Sequence, residues 1–295
     1  MRGLLLASGL IAAIVLSGAP TRTRADDDAK TYDLRGPAPV KGQVFISTMK
    51  LKIKDADTTL KIQGSPMPLK MKVTMDITGE EEEKVLSVDG RNVTKCQSKV
   101  LKDRSVITTD LAPAQTEVGE LEGEVIISDR IGEGKWKHSL VDTKPTEKQK
   151  RELDNRNGIE NDDDLYPAEK VKVGHAWKVE AKALTKLFGN AFTDVKGELA
   201  QKFLRVEEYA GEQCAVIEST GLVKAKMKDE EGEPNLNVEM DLNVTSWRSI
   251  KSGVDLKEKI GGKIKLSGIQ KTDDGKVDVT MSGPMSGEST TKLKE

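Results

Sequence analysis

The chain has 295 residues, a formal net charge of −2, charged residues at 33% and aromatic residues at only 3%. Acids and bases are interspersed along its length, which excludes the one-sided basic footprint of a nucleic-acid-binding protein. Three tryptophans spread over positions 136–247 do not build the stacking platform that single-stranded nucleic acid needs.

At the N-terminus, Arg2 precedes an apolar run over residues 4–16, and Thr23 and Ala25 place small residues at the two positions that direct signal-peptide cleavage. The run is too short to cross a bilayer, which takes about 20 apolar residues. The expectation is a secreted or periplasmic protein cleaved after Ala25, with Ala19 as the competing position. Loss of residues 1–25 removes three arginines and no acid, moving the net charge from −2 to −5. No later segment reaches membrane-spanning length. Beyond the signal peptide the chain divides into an N-terminal extension (26–40), a first β half (41–145), a polar helix with an acidic linker (146–169) and a second β half (170–295).

The dominant pattern has period two. "LKMKVTMDI" (residues 69–77) sets Leu69, Met71, Val73, Met75 and Ile77 on one face, and "LNVEMDLNV" (236–244) does the same with Leu236, Val238, Met240, Leu242 and Val244. Shorter alternating runs begin at Met49, Val223, Lys263 and Lys276. Strict alternation means one buried and one solvated face, hence antiparallel sheet. Turns are expected at Asp89-Gly90, Glu231-Gly232, Gly261-Gly262 and the stretch 273–275, and "EEEE" (80–83) reads as a charged turn between strands.

Between the halves, "TEKQKRELDN" from Thr146 predicts a short helix with only Leu153 to bury. The following "NDDDL" (161–165) lacks the spacing of a calcium loop and reads as a solvated acidic linker. A second short helix is expected where Ala181, Leu184, Leu187, Phe188 and Ala191 recur at helical spacing. The two halves show a loosely similar order of signals, "KGQVF" opening the first as "VGHAW" opens the second.

Candidate chemistry is sparse. His175, in "VKVGHAW", is expected on the solvent side at the start of a strand, and His138 has no ligand spacing around it; no metal, cofactor or catalytic residue is assigned. Cys96 and Cys214 allow two readings. A bridge would close a loop of roughly 120 residues and stabilise the fold by about 4–5 kcal/mol; otherwise they are two separate buried thiols. Met49, Met71, Met75, Met227, Met240 and Met281 all sit on apolar strand faces. With Leu184 and Phe188 they form a candidate face for an apolar ligand, against the plainer reading that methionine fills the gaps of a core short of aromatics.

"YDLRGPAPVKGQVF" (32–45), "YPAEKVKVGHAW" (166–177) and "EEYAGEQCAVIESTG" (207–221) together resemble a family of secreted bacterial proteins defined as a domain of unknown function. The resemblance implies a bacterial envelope protein with the curved antiparallel sheet of lipoprotein-carrier half-barrels, and it carries no catalytic residue over. The expected fold is therefore mainly β: a curved, half-barrel-like antiparallel sheet with one or two short helices and two similar halves. The expected function is non-enzymatic, the binding of an apolar ligand or lipid on the concave face. The alternative is an envelope structural or protein-interaction module whose core is closed.

Overall fold

The alternating runs become strands much longer than the usual 5–6 residues. The computed structural model describes residues 30–64, 67–188, 190–228, 233, 235–272 and 275–294, without the side chains of residues 187, 188, 271 and 272. The expected signal peptide with its cleavage after Ala25, the turn at Glu231-Gly232, most of the turn at 273–275 and the side chain of Phe188 lie outside the described residues.

The first half supplies β1 (Val44–Ile62), β2 (Leu69–Asp89), β3 (Asn92–Thr109), β4 (Gln115–Val118), β5 (Val125–Gly132) and β6 (Lys135–Leu140). The second supplies β7 (Ala176–Glu180), β8 (Phe192–Tyr209), β9 (Glu212–Met227), β10 (Leu236–Ser249), β11 (Asp255–Thr272) and β12 (Gly275–Lys294). Between them lie α1 (Glu147–Asn155) and a single 3-10 turn (Asp163–Leu165), and α2 (Ala181–Phe188) follows β7. All pairings are antiparallel in one 12-stranded sheet of order β6-β5-β3-β2-β1-β12-β11-β10-β9-β8-β7, with β4 beside β3. The halves meet at β1 and β12, whose register runs from Val44↔Lys294 to Ile62↔Val277. They share one sheet, and its largest core cluster draws on both.

The order is that of an up-and-down meander in which the first and last strands pair, with a seam between β6 and β7. A flat sheet of this path would hold its edges roughly 48 Å apart at normal strand spacing. Yet Lys186 of α2, just after β7, lies 3.8 Å from Glu133 in the β5–β6 turn. The sheet is therefore strongly curved, rolled until its edges approach while β6 and β7 remain unpaired.

Alternation decides which face turns inward. Leu236, Val238, Met240, Leu242 and Val244 are all buried, as are Val277, Val279, Met281 and Met285 on β12. On β1 the phase slips by one residue at a bulge between Ile53 and Ala56, so that Leu51 and Ile53 before it, and Ala56, Thr58 and Leu60 after it, all face the core. The outer face is charged and paired across strands: Lys52–Asp76 at 2.9 Å, Lys72–Asp57 at 2.5 Å, and Glu239 with both Lys224 and Lys265 at 2.9 and 2.8 Å.

Two expected turns are strand interior instead. Gly261 and Gly262 sit within β11, opposite Asn243 and Leu242. A Cβ on Gly262 would come within 2.0 Å of the Asp241 carbonyl oxygen, so the glycine serves a close approach of two strands. The run 80–83 lies in mid-β2, paired with β1 and β3; its parity puts Glu81 and Glu83 on the inward side with Ile77 and Val85. The turn at Asp89-Gly90 forms as expected, Asp89 pairing with Asn92.

Both expected helices form. Thr146 caps α1 in a reciprocal box with Gln149, at 3.2 and 3.0 Å, and Leu153 packs with Val100, Leu121, Ile126 and Leu140. The segment read as an N-terminal extension is tied into the core: Tyr32 exchanges backbone hydrogen bonds with Val171 at 2.8 and 2.9 Å, and Tyr32 and Leu34 are buried.

Candidate binding cavity

The stretch read as a solvated linker runs along the seam and fastens it. The Arg156 carbonyl accepts from His138 Nε2 of β6 and from Asn190 Nδ2 beside β8, both at 3.1 Å. Gly158 lies so close to the Trp136 ring of β6 that a Cβ there would meet Cε3 at 2.5 Å. Glu160 accepts from Trp136 Nε1 at 2.5 Å and pairs with Arg130 at 2.8 Å. On the far side, Trp177 Nε1 of β7 donates to the Leu165 carbonyl at 2.9 Å. Each aspartate of the "DDD" run takes a cation from a different element: Asp162 from Arg248 of β10 (2.8 Å), Asp163 from Arg91 of the β2–β3 turn (2.5 Å) and Asp164 from Lys186 of α2 (2.7 Å). Neither a calcium loop nor a solvated linker describes these three residues. They are the clasps of the seam.

Arg248 is the centre of that arrangement. It is 1% exposed, its Nε donates to the Leu34 carbonyl, and its guanidinium lies 3.7 Å from the centroid of the Tyr166 ring. Its Nη1 reaches Asp162 and Asp255, and Tyr166 Oη donates to Asp255 at 2.9 Å. Burial raises the Asp255 pKa, an effect Arg248 opposes.

Between the seam segment and the inner face of β1–β3 a cavity of about 730 Å³ remains. Its apolar wall comes from Phe45 and Met49 of β1, Met75 and Ile77 of β2, Val93 and Val100 of β3, and Ile159 of the seam segment. The polar lining includes Glu81, which is bonded to Arg156, and Asp103, Glu258, Ser105 and Ser289. Burial pushes the Glu258 carboxyl up to about 7, helped by Asp255, and pushes Asp103 upward against the opposing charge of Arg156. Beside this site burial and the neighbouring Glu81 push Glu83 up to about 8.

The candidate ligand face is divided by the fold. Met75, Met227, Met240 and Met281 are packed into the core, Met71 is half-buried against it, and Leu184 of α2 is fully buried. Met49 and Met75 are the two of the six methionines that line the cavity. His175 is half-buried rather than solvent-facing, its ring stacked on Trp177 at 5.9 Å, and its carbonyl accepts from Phe203 N at 2.9 Å as β7 begins. His138 Nδ1 bonds Ser128 Oγ at 2.8 Å, and burial, then Arg156, lower its pKa. The disulfide candidate is corrected: Cys96 and Cys214 are free and buried, on β3 and β9, with five strands between them in the sheet. Among the described residues no cluster of histidine, cysteine and carboxylate groups is arranged to hold a metal.

The inward charges are not picked out in the sequence: residues 80–83 read as a charged turn, and Asp103, Arg248 and Glu258 stand in no motif. Parity is the signal that finds them: Glu81 and Glu83 continue the phase of Ile77, Asp103 that of Ser105 and Ile107, Glu258 that of Ile260, and Arg248 that of Val244.

No family model matches the chain, and no curated protein matches it. Among solved structures, an outer membrane channel from Pseudomonas putida F1 is similar at 8% identity and a TM-score of 0.29, over 93% of this chain and 100% of its own. The outer membrane protein OprG from Pseudomonas aeruginosa is similar at 8% identity and a TM-score of 0.19, over 88% and 99%. At such scores the likeness carries no argument about function. The outer face of this sheet bears cross-strand ion pairs, where a membrane-spanning barrel presents an apolar band. No helix among the described residues is long and apolar enough to cross a membrane.

Proposed function

We propose that this is a non-enzymatic binding protein of the bacterial envelope, acting outside the cytoplasm and holding a small amphipathic molecule in the cavity between the rolled sheet and the seam segment. The observation that carries the reading is the cavity itself. Its volume of about 730 Å³ falls within the range of small-molecule sites, and an apolar wall faces a few placed polar groups. The N-terminal signal pattern and the resemblance to secreted envelope proteins support the compartment. Met227, Met240 and Met281, packed into the core away from the cavity, favour a compact ligand over a long acyl chain laid along the whole concave face.

The test is uptake of the neutral fluorescent probe N-phenyl-1-naphthylamine, with native mass spectrometry of protein isolated from its own compartment. Saturable probe fluorescence, lost in an Ile77→Trp variant that fills the cavity, is the expected result. A wild-type protein that takes up no probe and carries no small molecule would overturn the reading in favour of a closed-core interaction module.

A further inference from the structure

The charges around the cavity do not balance. Eight carboxylates line it against five cations. Most of the acids are already ion-paired: Glu81 with Arg156, Glu160 with Arg130, Asp163 with Arg91, while Asp162 and Asp255 share the single charge of Arg248. Glu80 stands opposite Lys102 in the β2–β3 register. Asp103 and Glu258 are left with no ion-pair partner among the described residues; Glu258 takes only a hydrogen bond from Ser289 Oγ, at 2.7 Å. Among the described residues Lys251 and Arg35 also have no carboxylate partner, but Lys251 is exposed and Arg35 already donates to the Tyr166 carbonyl.

A second, independent observation points to the same place. Ser105, two residues from Asp103 on β3, is 7% exposed, and its Oγ has no hydrogen-bond partner. A buried hydroxyl without a partner is costly, and a ligand atom that bonds it removes the cost. The position lines the cavity beside Ile77, with which it pairs in the sheet.

We propose that the cavity takes an amphipathic organic cation, its ammonium group held by Asp103 and the Ser105 hydroxyl, with Glu258 supplying a further negative charge from β11 and the apolar body lying on Phe45, Met49 and Ile77. The inference rests on the cavity being a binding site. A metal ion is the poorer occupant, since the described carboxylates form no metal-binding cluster and Phe45, Met49, Met75 and Ile77 make one side of the wall apolar. Burial raises both free carboxyls, and a bound cation favours their ionised form.

Isothermal titration calorimetry at pH 8 with a matched series distinguishes the possibilities: octylammonium, octanol and octanoate, each below its micelle concentration. Octylammonium is expected to bind most tightly and octanoate most weakly. Asp103→Asn and Glu258→Gln should each weaken octylammonium by about tenfold, the scale of one charge-assisted hydrogen bond, and leave octanol unchanged. Octanol binding also reports that each variant is folded. Equal affinity for octanol and octylammonium, or a preference for octanoate, overturns the cation inference and leaves the cavity reading standing. Failure of all three to bind the wild-type protein overturns both.

Discussion

Asp162 and Arg248 meet at 2.8 Å although 86 residues separate them in the chain. Through this contact β10 is tied to the segment that fills the seam, and Asp255 and Tyr166 complete the surroundings of the guanidinium. Arg248 is buried, while Asp255 is 20% and Asp162 37% exposed, so removing the guanidinium strands two partly buried charges, at up to about 3–5 kcal/mol. Arg248→Met should therefore destabilise the fold by about that amount in urea denaturation. Adding Asp162→Asn should recover part of the loss, because less uncompensated charge remains buried. A loss below about 1 kcal/mol, typical of a surface pair, would show that the clasp does not support the seam.

Strand parity gives a sharper contrast between neighbours. Val73 is 1% exposed, while Lys72 points outward to an exposed Asp57. Val73→Asp places an unpaired charge in the core and should cost several kcal/mol. Lys72→Asp gives up one exposed ion pair, a matter of about 1 kcal/mol or less. Equal losses in melting temperature would contradict the assignment of inner and outer faces.

The inward carboxylates predict a pH dependence with a definite sign. Glu83 is raised from 4.5 to about 8 by burial and by Glu81, with Arg156 opposing. Between those values the folded protein holds a proton that the unfolded chain has released, so this contribution to stability is fully present below pH 4.5 and is lost as the pH rises through about 8. Glu83→Gln keeps the neutral form at every pH. The stability curves of the two proteins should converge near the acid end and separate towards pH 8, with the variant the more stable. Parallel curves across that window would assign Glu83 an ordinary carboxylate pKa.

The cysteines supply a chemical check on the strand order. With both thiols free and burial pushing each up to about 11, they should react slowly with Ellman's reagent in the folded protein. Denaturation without reductant should release two reactive thiols, and reductant should leave the melting temperature unchanged. A denatured, unreduced protein with no reactive thiol would mean that β3 and β9 come together after all.

What the sequence by itself determined is the local geometry. Alternation along residues 69–77 and 236–244 specifies which side chains share a face, because a strand has period two whatever lies beside it. The short helix from Thr146 and the turn at Asp89-Gly90 are legible for the same reason, since their hydrogen bonds close within a few residues. The tertiary structure decided everything that depends on neighbours distant in the chain. Nothing local distinguishes Glu81 in a buried strand from a glutamate in a turn; only the pairing of β2 between β1 and β3 turns it inward, where Arg156 neutralises it. Likewise the aspartates 162–164 have the composition of a solvated linker, and they become clasps because rolling the sheet brings Arg248, Arg91 and Lys186 to one seam. Whether the methionine face would be open or packed also lay beyond the sequence. A face's polarity is set along one strand, but its accessibility is set by what the curvature of the whole sheet folds over it.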